Sequence, residues 1–166
     1  MFDDIGSIRS RLTAGETLDG RIDTAFEVIK GFGFDALIYD YTPVPYDLDG
    51  ALMLPSLLKL RNISEDMREY WFDREYFRID PVQLLAMRTT TPFFWNYDHK
   101  AGTQINRFLD ERSAPVSRYL HERNMSCGVT VPVHLPRGDC ATVTGVRFGA
   151  GRGFQSDADR HMADFG

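Results

Sequence analysis

Two alternating segments in the last third of the chain constrain its fold more than any other feature. Valine or leucine occupies every second position over residues 129–135, and alternation resumes over residues 140–148, after a turn that reads Pro-Arg-Gly-Asp. A period of two predicts β-strands, and a short turn rich in Pro, Gly and Asp between them predicts a hairpin. Because the strands of a hairpin are antiparallel, we expect a core built on a largely antiparallel sheet.

The remaining elements follow from periodicity and from start signals. Asp80 followed by Pro81 is a strong helix start, since Asp caps a helix and Pro is tolerated in its first turn. Helices are predicted over residues 5–12, 17–30, 64–76, 80–87, 105–109 and 115–120, with a last one from Ser156; further strands are predicted over residues 36–42, 52–60 and 92–95. Together they predict an α+β fold, a three-layer α-β-α sandwich around a central, mainly antiparallel five-stranded sheet.

Composition excludes several classes of protein. The 166 residues carry 19 basic and 24 acidic side chains, a net charge of −5, which argues against this segment holding nucleic acid by itself. No segment approaches the roughly 18 apolar residues of a membrane span, and the acidic N-terminus is unlike a secretory signal. Cys127 and Cys140 are expected to be reduced thiols in a cytoplasmic protein.

No motif indicates a cofactor or a metal. The four histidines have no metal-ligand spacing with one another. Residues 149–153 are similar to a dinucleotide loop, but Phe154 stands where the third glycine belongs and too few residues follow for a second half of that fold. Aromatic residues make up 13% of the chain, which suits both a packed core and the lining of a small-molecule pocket. We expect a small molecule as partner, with no cofactor, no metal and no membrane contact.

One block carries a candidate site. Ile63, Met67 and Trp71 are spaced four apart and share one helical face, and Asp80 heads the next predicted helix. An apolar and aromatic surface beside one carboxylate is how a small-molecule pocket is built. The competing interpretation is a core face plus an aspartate that only caps its own helix. Composition and spacing alone favour that second interpretation.

Four segments change this balance. Residues 34–39 (Phe-Asp-Ala-Leu-Ile-Tyr), 80–82 (Asp-Pro-Val), 92–95 (Pro-Phe-Phe-Trp) and 128–132 (Gly-Val-Thr-Val-Pro), in this order and spacing, resemble the ligand-binding domain of LuxR-type quorum-sensing transcription regulators. The resemblance covers roughly residues 34–148. It implies the same α-β-α sandwich, with a C-terminal helix-turn-helix domain beyond the present sequence.

The resemblance also implies roles for individual residues. Members of the family bind N-acyl homoserine lactones, and the aspartate of their Asp-Pro motif, here Asp80, accepts from the ligand amide. Trp95 matches a tryptophan in the wall of the site. Where the family has a tryptophan that donates to the lactone carbonyl, this chain has Met67, and Trp71 and Ile63 replace two tyrosines. This exchange resembles the LuxR solos of plant-associated bacteria, which lack a partner lactone synthase and are thought to respond to plant-derived molecules.

The exchange changes what the head-group end of the site can bind. Methionine has no indole N–H, so a lactone carbonyl buried against Met67 would lose its donor, at a cost of about 1–3 kcal/mol. Ile63 removes another polar group. The larger Trp71 would occupy space that a lactone ring needs, while Asp80 still offers an acceptor. The sequence therefore favours a ligand other than a lactone.

Further site residues follow from the same resemblance. On the first strand, Asp40 would add a second carboxylate suited to an amine- or hydroxyl-bearing ligand, although an aspartate paired with an arginine at a strand edge is an equally good interpretation. The other expected ligand-binding positions are Ile38 and Thr42 on the first strand, Val82 beside Asp80, Thr142 and Thr144 on the last strand, and Phe108, Met125 and Cys140 in the apolar wall.

These observations predict a cytoplasmic sensor rather than an enzyme. Residues 1–153 would form the ligand-binding domain, and residues 154–166 would begin the linker to a DNA-binding domain. The protein would be a homodimer, and it would contact DNA only through that second domain. The signal is expected to be a plant-derived molecule, as in interkingdom signalling, or another molecule that is not a lactone. One alternative is an ordinary acyl-homoserine-lactone receptor. Another is an enzyme using Asp40 and Asp80 as an acid–base pair.

Overall fold

The architecture is an α+β sandwich around one antiparallel sheet. A computed structural model describes residues 5–13 and 17–149. Its strands are β1 (Ala36–Thr42), β2 (Leu57–Arg61), β3 (Phe93–Asn96), β4 (Cys127–His134) and β5 (Cys140–Arg147). They are ordered β2-β1-β5-β4-β3 with every pair antiparallel. The predicted five-stranded sheet and its β4–β5 hairpin are confirmed.

Helices cover both faces of this sheet. The α-helices are α1 (Ile5–Thr13), α2 (Leu18–Gly31), α3 (Asp66–Arg68), α4 (Tyr76–Ile79), α5 (Pro81–Ala86) and α6 (Ala114–Glu122). A π-helix spans Glu69–Asp73, and 3₁₀ turns span His99–Ala101 and Gln104–Phe108.

The register of β1 assigns the two faces. Successive strand residues point to opposite sides, so Ile38 and Asp40 share one face and Leu37 lies on the other. Arg61, paired with Leu37, forms ion pairs with Asp19 and Asp23 of α2, at 3.2 and 2.6 Å. The helix α2 therefore covers the Leu37 face, and the helical segments from α3 to α6 cover the Ile38 face, where the buried core lies.

Local sequence explains where several helices begin. Thr17 caps α2 by accepting from the Gly20 N–H, and Pro115 lies in the first turn of α6. Asp80 caps α5 by accepting from the Val82 N–H at 3.0 Å, with Pro81 as the first helical residue. The start signals predicted at these positions are confirmed. Asp80 thereby gains a fixed side-chain orientation at the junction of α4 and α5.

Two predictions of element boundaries are wrong. The strand predicted from residue 52 begins at Leu57, because Pro55 cannot donate to a ladder; Leu52 forms only an isolated bridge with Tyr46. The single helix predicted over residues 64–76 is broken into α3, the π-helix and α4. The helix predicted from Ser156 lies outside the described residues.

Candidate functional site

A small cavity lies between the Ile38 face of the sheet and the helical layer. Its volume is about 30 Å³, enough for one or two water molecules. Eight of the predicted site residues line it: Ile38, Asp40, Met67, Trp71, Asp80, Val82, Trp95 and Thr144. The remaining lining residues are Pro55, Leu58, Phe72, Phe77, Gln83, Tyr97 and Leu120. Side chains from β1, β3, β5 and the helical layer therefore converge here, and they fill most of the space between the layers.

Asp80 points into this cavity and not toward solvent. Its side chain is 5% exposed. One carboxylate oxygen accepts from the Val82 N–H and from the Tyr97 hydroxyl, and the other accepts from the Trp71 indole at 3.3 Å. Burial raises the pKa of Asp80 to about 6, although these three donors favour its charged form. Asp80 is thus a helix cap and an inward-facing acceptor at the same time.

Asp40 forms a second polar cluster on the sheet side of the cavity. It is 2% exposed, and one of its oxygens accepts from the Gln83 amide at 3.1 Å and from the Thr142 hydroxyl at 2.6 Å. Burial, together with the charge on Asp80, raises the pKa of Asp40 to about 7, although the bonds from Thr142 and Gln83 oppose the shift. Among residues 5–13 and 17–149, Asp40 does not form the arginine pairing that the sequence left open.

Two buried polar atoms near Asp40, the Gln83 amide oxygen and the Thr42 hydroxyl, have no hydrogen-bond partner among the described residues. An unsatisfied buried acceptor costs about 1–3 kcal/mol, so Gln83 keeps an unused capacity to accept from a donor in the cavity. The Asp40 side of the cavity therefore offers an unused acceptor at Gln83, while Thr42, whose hydroxyl can donate as well as accept, does not line the cavity.

A hydrogen-bonded chain crosses the sheet beside these carboxylates. The Trp95 indole donates to Thr130 at 3.0 Å, and the Thr130 and Thr144 hydroxyls lie 2.8 Å apart. The rings of Trp95 and Tyr97 meet edge to face at 5.6 Å. These contacts fix the Trp95 ring in the cavity wall, and its N–H is already used in the bond to Thr130.

The Met67 and Trp71 ridge closes the cavity from the helical side. Both residues are buried, at 2% and 3% exposure. The Trp71 ring lies edge-on to Tyr76 and Tyr119, at centroid distances of 5.7 and 5.2 Å. Tyr119 is fixed in turn by donating to Asp66 at 3.0 Å. The Trp71 ring is therefore held by Tyr76 and Tyr119 while its indole N–H donates to Asp80.

Six predicted site residues do not line the cavity in this structure. Thr142 lies behind Asp40 as its donor, and Ile63 is half-buried against the core. Phe108 lies under the guanidinium groups of Arg88 and Arg107. Thr42 and Cys140 are opposite each other in the β1–β5 ladder, and Met125 belongs to the buried core.

Tyr97 and Gln83 are the two polar lining residues that the sequence analysis missed. Tyr97 follows Trp95 by two positions, and that alternation was a usable signal that both side chains face the same way. Gln83 is one turn from Asp80, but its bond to Asp40 joins residues 43 positions apart. No local pattern reports such a contact.

The described region contains neither a metal site nor a membrane span. Within residues 5–13 and 17–149, no group of three or more His, Cys, Asp or Glu side chains could hold a metal ion. None of the helices in that region has the length and apolarity needed to cross a bilayer.

Comparison with solved structures identifies the fold. The chain superposes on the N-acylhomoserine-lactone-dependent LuxR family transcription factor CepR2 from Burkholderia cenocepacia with a TM-score of 0.72 and 16% identity, covering 96% of this chain and 84% of that one. It matches SdiA from Escherichia coli with a TM-score of 0.65 and 16% identity, over 96% of this chain and 64% of SdiA. A structure of SdiA in complex with octanoyl-rac-glycerol matches with a TM-score of 0.64 at 17% identity, over 98% of this chain and 64% of that one.

Sequence comparison identifies the family. The transcriptional activator protein RaiR from Rhizobium etli is 34% identical over 101 residues, which are 60% of this chain and 38% of RaiR. The chain thus aligns with well under half the length of this relative. RaiR is named as a transcriptional activator and CepR2 as a transcription factor, and neither name supports the enzyme alternative built on Asp40 and Asp80. Since the family model for the autoinducer binding domain matches residues 17–166, the chain belongs to the autoinducer-binding domain family of LuxR-type regulators.

Proposed function

We propose that this domain senses a small molecule that carries N–H or O–H donors, and that this molecule is not an acyl homoserine lactone. A plant-derived signal suits this proposal, as the resemblance to the LuxR solos implies. The proposal extends to a cytoplasmic regulator that pairs with a second copy of itself. Residues 1–153 would form the sensor, and residues 154–166 would lead to a DNA-binding domain.

The observation that carries the proposal is the imbalance between acceptors and donors around the cavity. Asp80, Asp40 and the unpartnered Gln83 oxygen supply acceptors. The Trp71 indole, by contrast, already donates to Asp80, and Met67 has no donor to offer. A lactone carbonyl placed here would find the Trp71 N–H already used and no donor at Met67, whereas an ammonium or hydroxyl group would find several acceptors.

The size of the cavity adds a second condition. Sites for small organic ligands usually enclose about 300–1,000 Å³, roughly ten times or more the 30 Å³ between these layers. A ligand larger than one or two water molecules must therefore displace lining side chains or move the helical layer. Binding would then stabilise a rearranged, native form of the domain.

A lactone receptor is the second candidate. Asp80 and Trp95 stand at the positions that the resemblance assigns to lactone recognition, and the similar CepR2 is described as dependent on N-acylhomoserine lactone. This alternative requires that a lactone bind without a donor at Met67.

The decisive experiment is titration of the 166-residue chain with N-butanoyl and N-octanoyl homoserine lactone. Mass spectrometry of small molecules that co-purify with the domain would run alongside it. We expect weak or no lactone binding, and a co-purifying molecule with amine or hydroxyl groups. Tight, saturable binding of either lactone by the unaltered chain would overturn the proposal in favour of the second candidate.

A substitution tests whether specificity lies at the ridge. The double variant Met67→Trp, Trp71→Tyr restores the donors of the lactone-binding pattern and should raise affinity for N-octanoyl homoserine lactone about tenfold or more, since one hydrogen bond of 1.4 kcal/mol is a factor of ten. Met67→Leu is the matched control, because it keeps the volume and adds no N–H. No gain in a double variant with a cooperative thermal transition would show that the specificity lies elsewhere.

A further inference from the structure

A second and larger cleft lies on the other side of α4 and α5. Its volume is about 490 Å³, and it shares no lining residue with the cavity at Asp80. The loop between β1 and β2 forms one wall, through residues 46 and 50–52, and the helical layer forms the other. A cleft of this volume is large enough for a small organic molecule.

Positive charge is concentrated in this cleft. Arg74, Arg78, Arg88 and Arg112 line it, and Glu75 is the one carboxylate among its described lining residues. The chain as a whole carries a net charge of −5, so a cleft lined by four arginines has the opposite sign of charge to the rest of the molecule. The local field favours an anion.

The four arginines differ in how far their charges are already paired. Arg74 lies 3.0 Å from Glu69, and Arg78 lies 3.6 Å from Glu75. Arg88 and Arg112 have no ion pair among residues 5–13 and 17–149. The Arg88 guanidinium is instead stacked over the Phe108 ring at 5.3 Å, which leaves its N–H edge available.

One buried donor of Arg78 lacks a hydrogen-bond partner in the part of the chain that the structure describes. Its Nε atom is shielded from solvent, and the 3.6 Å separation from Glu75 exceeds hydrogen-bond distance. The Arg78 side chain as a whole is 35% exposed, so an oxyanion in the cleft would meet its accessible part and not the shielded Nε.

The cleft also has an apolar component. Tyr46, Leu52, Ile79, Leu84 and Met87 line it between the arginines. Tyr46 is 46% exposed and so presents its ring to an incoming molecule. An inorganic ion would contact only the arginines and leave this apolar surface exposed to water. An organic anion would contact both the arginines and the apolar side chains.

We propose that this cleft binds a small organic anion, a carboxylate or phosphate on an apolar body. Arg88 and Arg112 contact the anionic group, Arg78 is its neighbour, and Tyr46, Leu52 and Leu84 contact the apolar part. Guanidinium groups bind both kinds of oxyanion in bidentate fashion. The site is separate from the cavity at Asp80, so this proposal does not depend on what the cavity binds.

The test is an NMR titration of the 166-residue chain with octanoate, octyl phosphate and neutral 1-octanol. We expect saturable shifts of amides over residues 74–79, 84–88 and 112 with one or both anions, and none there with octanol. The stronger of the two anions distinguishes a carboxylate from a phosphate ligand. Affinity should fall as salt is raised from 50 to 500 mM, because the contact is charged.

Variants separate the proposed contacts from general electrostatics. The double variant Arg88→Gln, Arg112→Gln should bind the preferred anion at least about tenfold more weakly, as expected for loss of a charge-assisted hydrogen bond. Arg21→Gln, in α2 on the opposite face of the sheet, makes the same kind of charge change away from the cleft and should alter affinity less than about twofold. Arg112→Gln alone keeps the test valid if loss of the Arg88 contact with Phe108 unfolds the double variant.

Four results would overturn the proposal. The first is no saturable binding of either anion, and the second is equal weakening by Arg21→Gln. The third is binding of octanol as strong as that of the anions, and the fourth is anion-induced shifts confined to the cavity at Trp95 and Thr144. Failure of lactone or amine binding at Asp80 would leave all these readouts unchanged.

Discussion

Asp40 and Asp80 are two buried carboxylates whose environments differ in the number of donors. Three donors reach Asp80, from Val82, Tyr97 and Trp71, and two reach Asp40. Burial raises both pKa values, to about 6 for Asp80 and about 7 for Asp40. The order follows the donors, because each hydrogen bond to the charged form opposes the effect of burial.

These pKa values make the stability of the domain depend on pH. Both lie above the ordinary aspartate value, so the folded chain binds more protons than the unfolded chain between about pH 4 and pH 7. Their contribution is fully present below pH 4 and is lost as pH rises through 6 and 7. The free energy of unfolding should therefore fall between pH 5 and pH 7.5.

Asp40→Asn tests this dependence. The amide oxygen can still accept from Gln83 and Thr142, but no charge forms, so the decrease should shrink by on the order of 3 kcal/mol, at about 1.4 kcal/mol per pH unit. The measurement is urea unfolding at pH 5 and pH 7.5, with the exposed Asp73→Asn as control. An Asp40→Asn variant with the same pH slope as the unaltered chain would contradict the pKa assignment.

The contribution of each residue was only partly predictable from the sequence. The Asp-Pro start signal located Asp80 at the head of α5, because capping is a local interaction. Its bond from Tyr97, 17 positions away, depends on how α5 packs on β3. The orphaned Gln83 oxygen likewise results from tertiary packing, which residue periodicity does not describe.

At the scale of elements, the β3–β4–β5 region depends on one glycine. Gly128 lies opposite Trp95 in the ladder, and a Cβ placed on it would lie 2.7 Å from the Trp95 ring and 2.3 Å from the Gly145 carbonyl oxygen. Both distances are shorter than real contacts allow. The absence of a side chain at residue 128 is what lets the Trp95 ring approach the backbone of β4 so closely.

Gly128→Ala should therefore destabilise the domain by about 2 kcal/mol or more, since neither the strand backbone nor the buried ring can give way freely. The matched control is Gly31→Ala at the end of α2, where nothing lies within 4 Å of the added methyl group. That control should be neutral or stabilise by up to about 1 kcal/mol. Equal urea midpoints for the two variants would show that the contacts at Gly128 relax without cost.

Elements set by local rules were predicted, and the one element set by tertiary contacts was not. The strands, the hairpin and the caps of α2 and α5 follow from alternation and start signals. The segment from α3 to α4 has the period of a helix, but its backbone changes type at Glu69 and adopts a left-handed conformation at Glu75, with φ of 57°. Its ridge residues Met67 and Trp71 are buried in spite of the break, because the core and Asp80 determine their positions.

At the scale of the whole molecule, the sheet and the helical layer differ in continuity. The central strands β1, β4 and β5 each pair with two neighbours. The segment over residues 66–79 consists of three short helical pieces, and its central turn is held by bonds such as that from the Arg74 N–H to the Glu69 carbonyl. Since the cavity is closed by Met67, Trp71 and Phe72, this segment is the part of the helical layer that a ligand would have to move.

Native-state hydrogen exchange tests that division of the molecule. Amides over residues 67–79 should exchange through local openings that are insensitive to low urea concentrations, whereas amides in the middle of β1, β4 and β5 should exchange only on global unfolding. The helix α6 is the internal control: it packs in the same layer but is continuous over nine residues, so its amides should be more protected than those of residues 67–79. If the two helical regions open together with the sheet, the layer moves as one body, and ligand entry must take a route other than the broken segment.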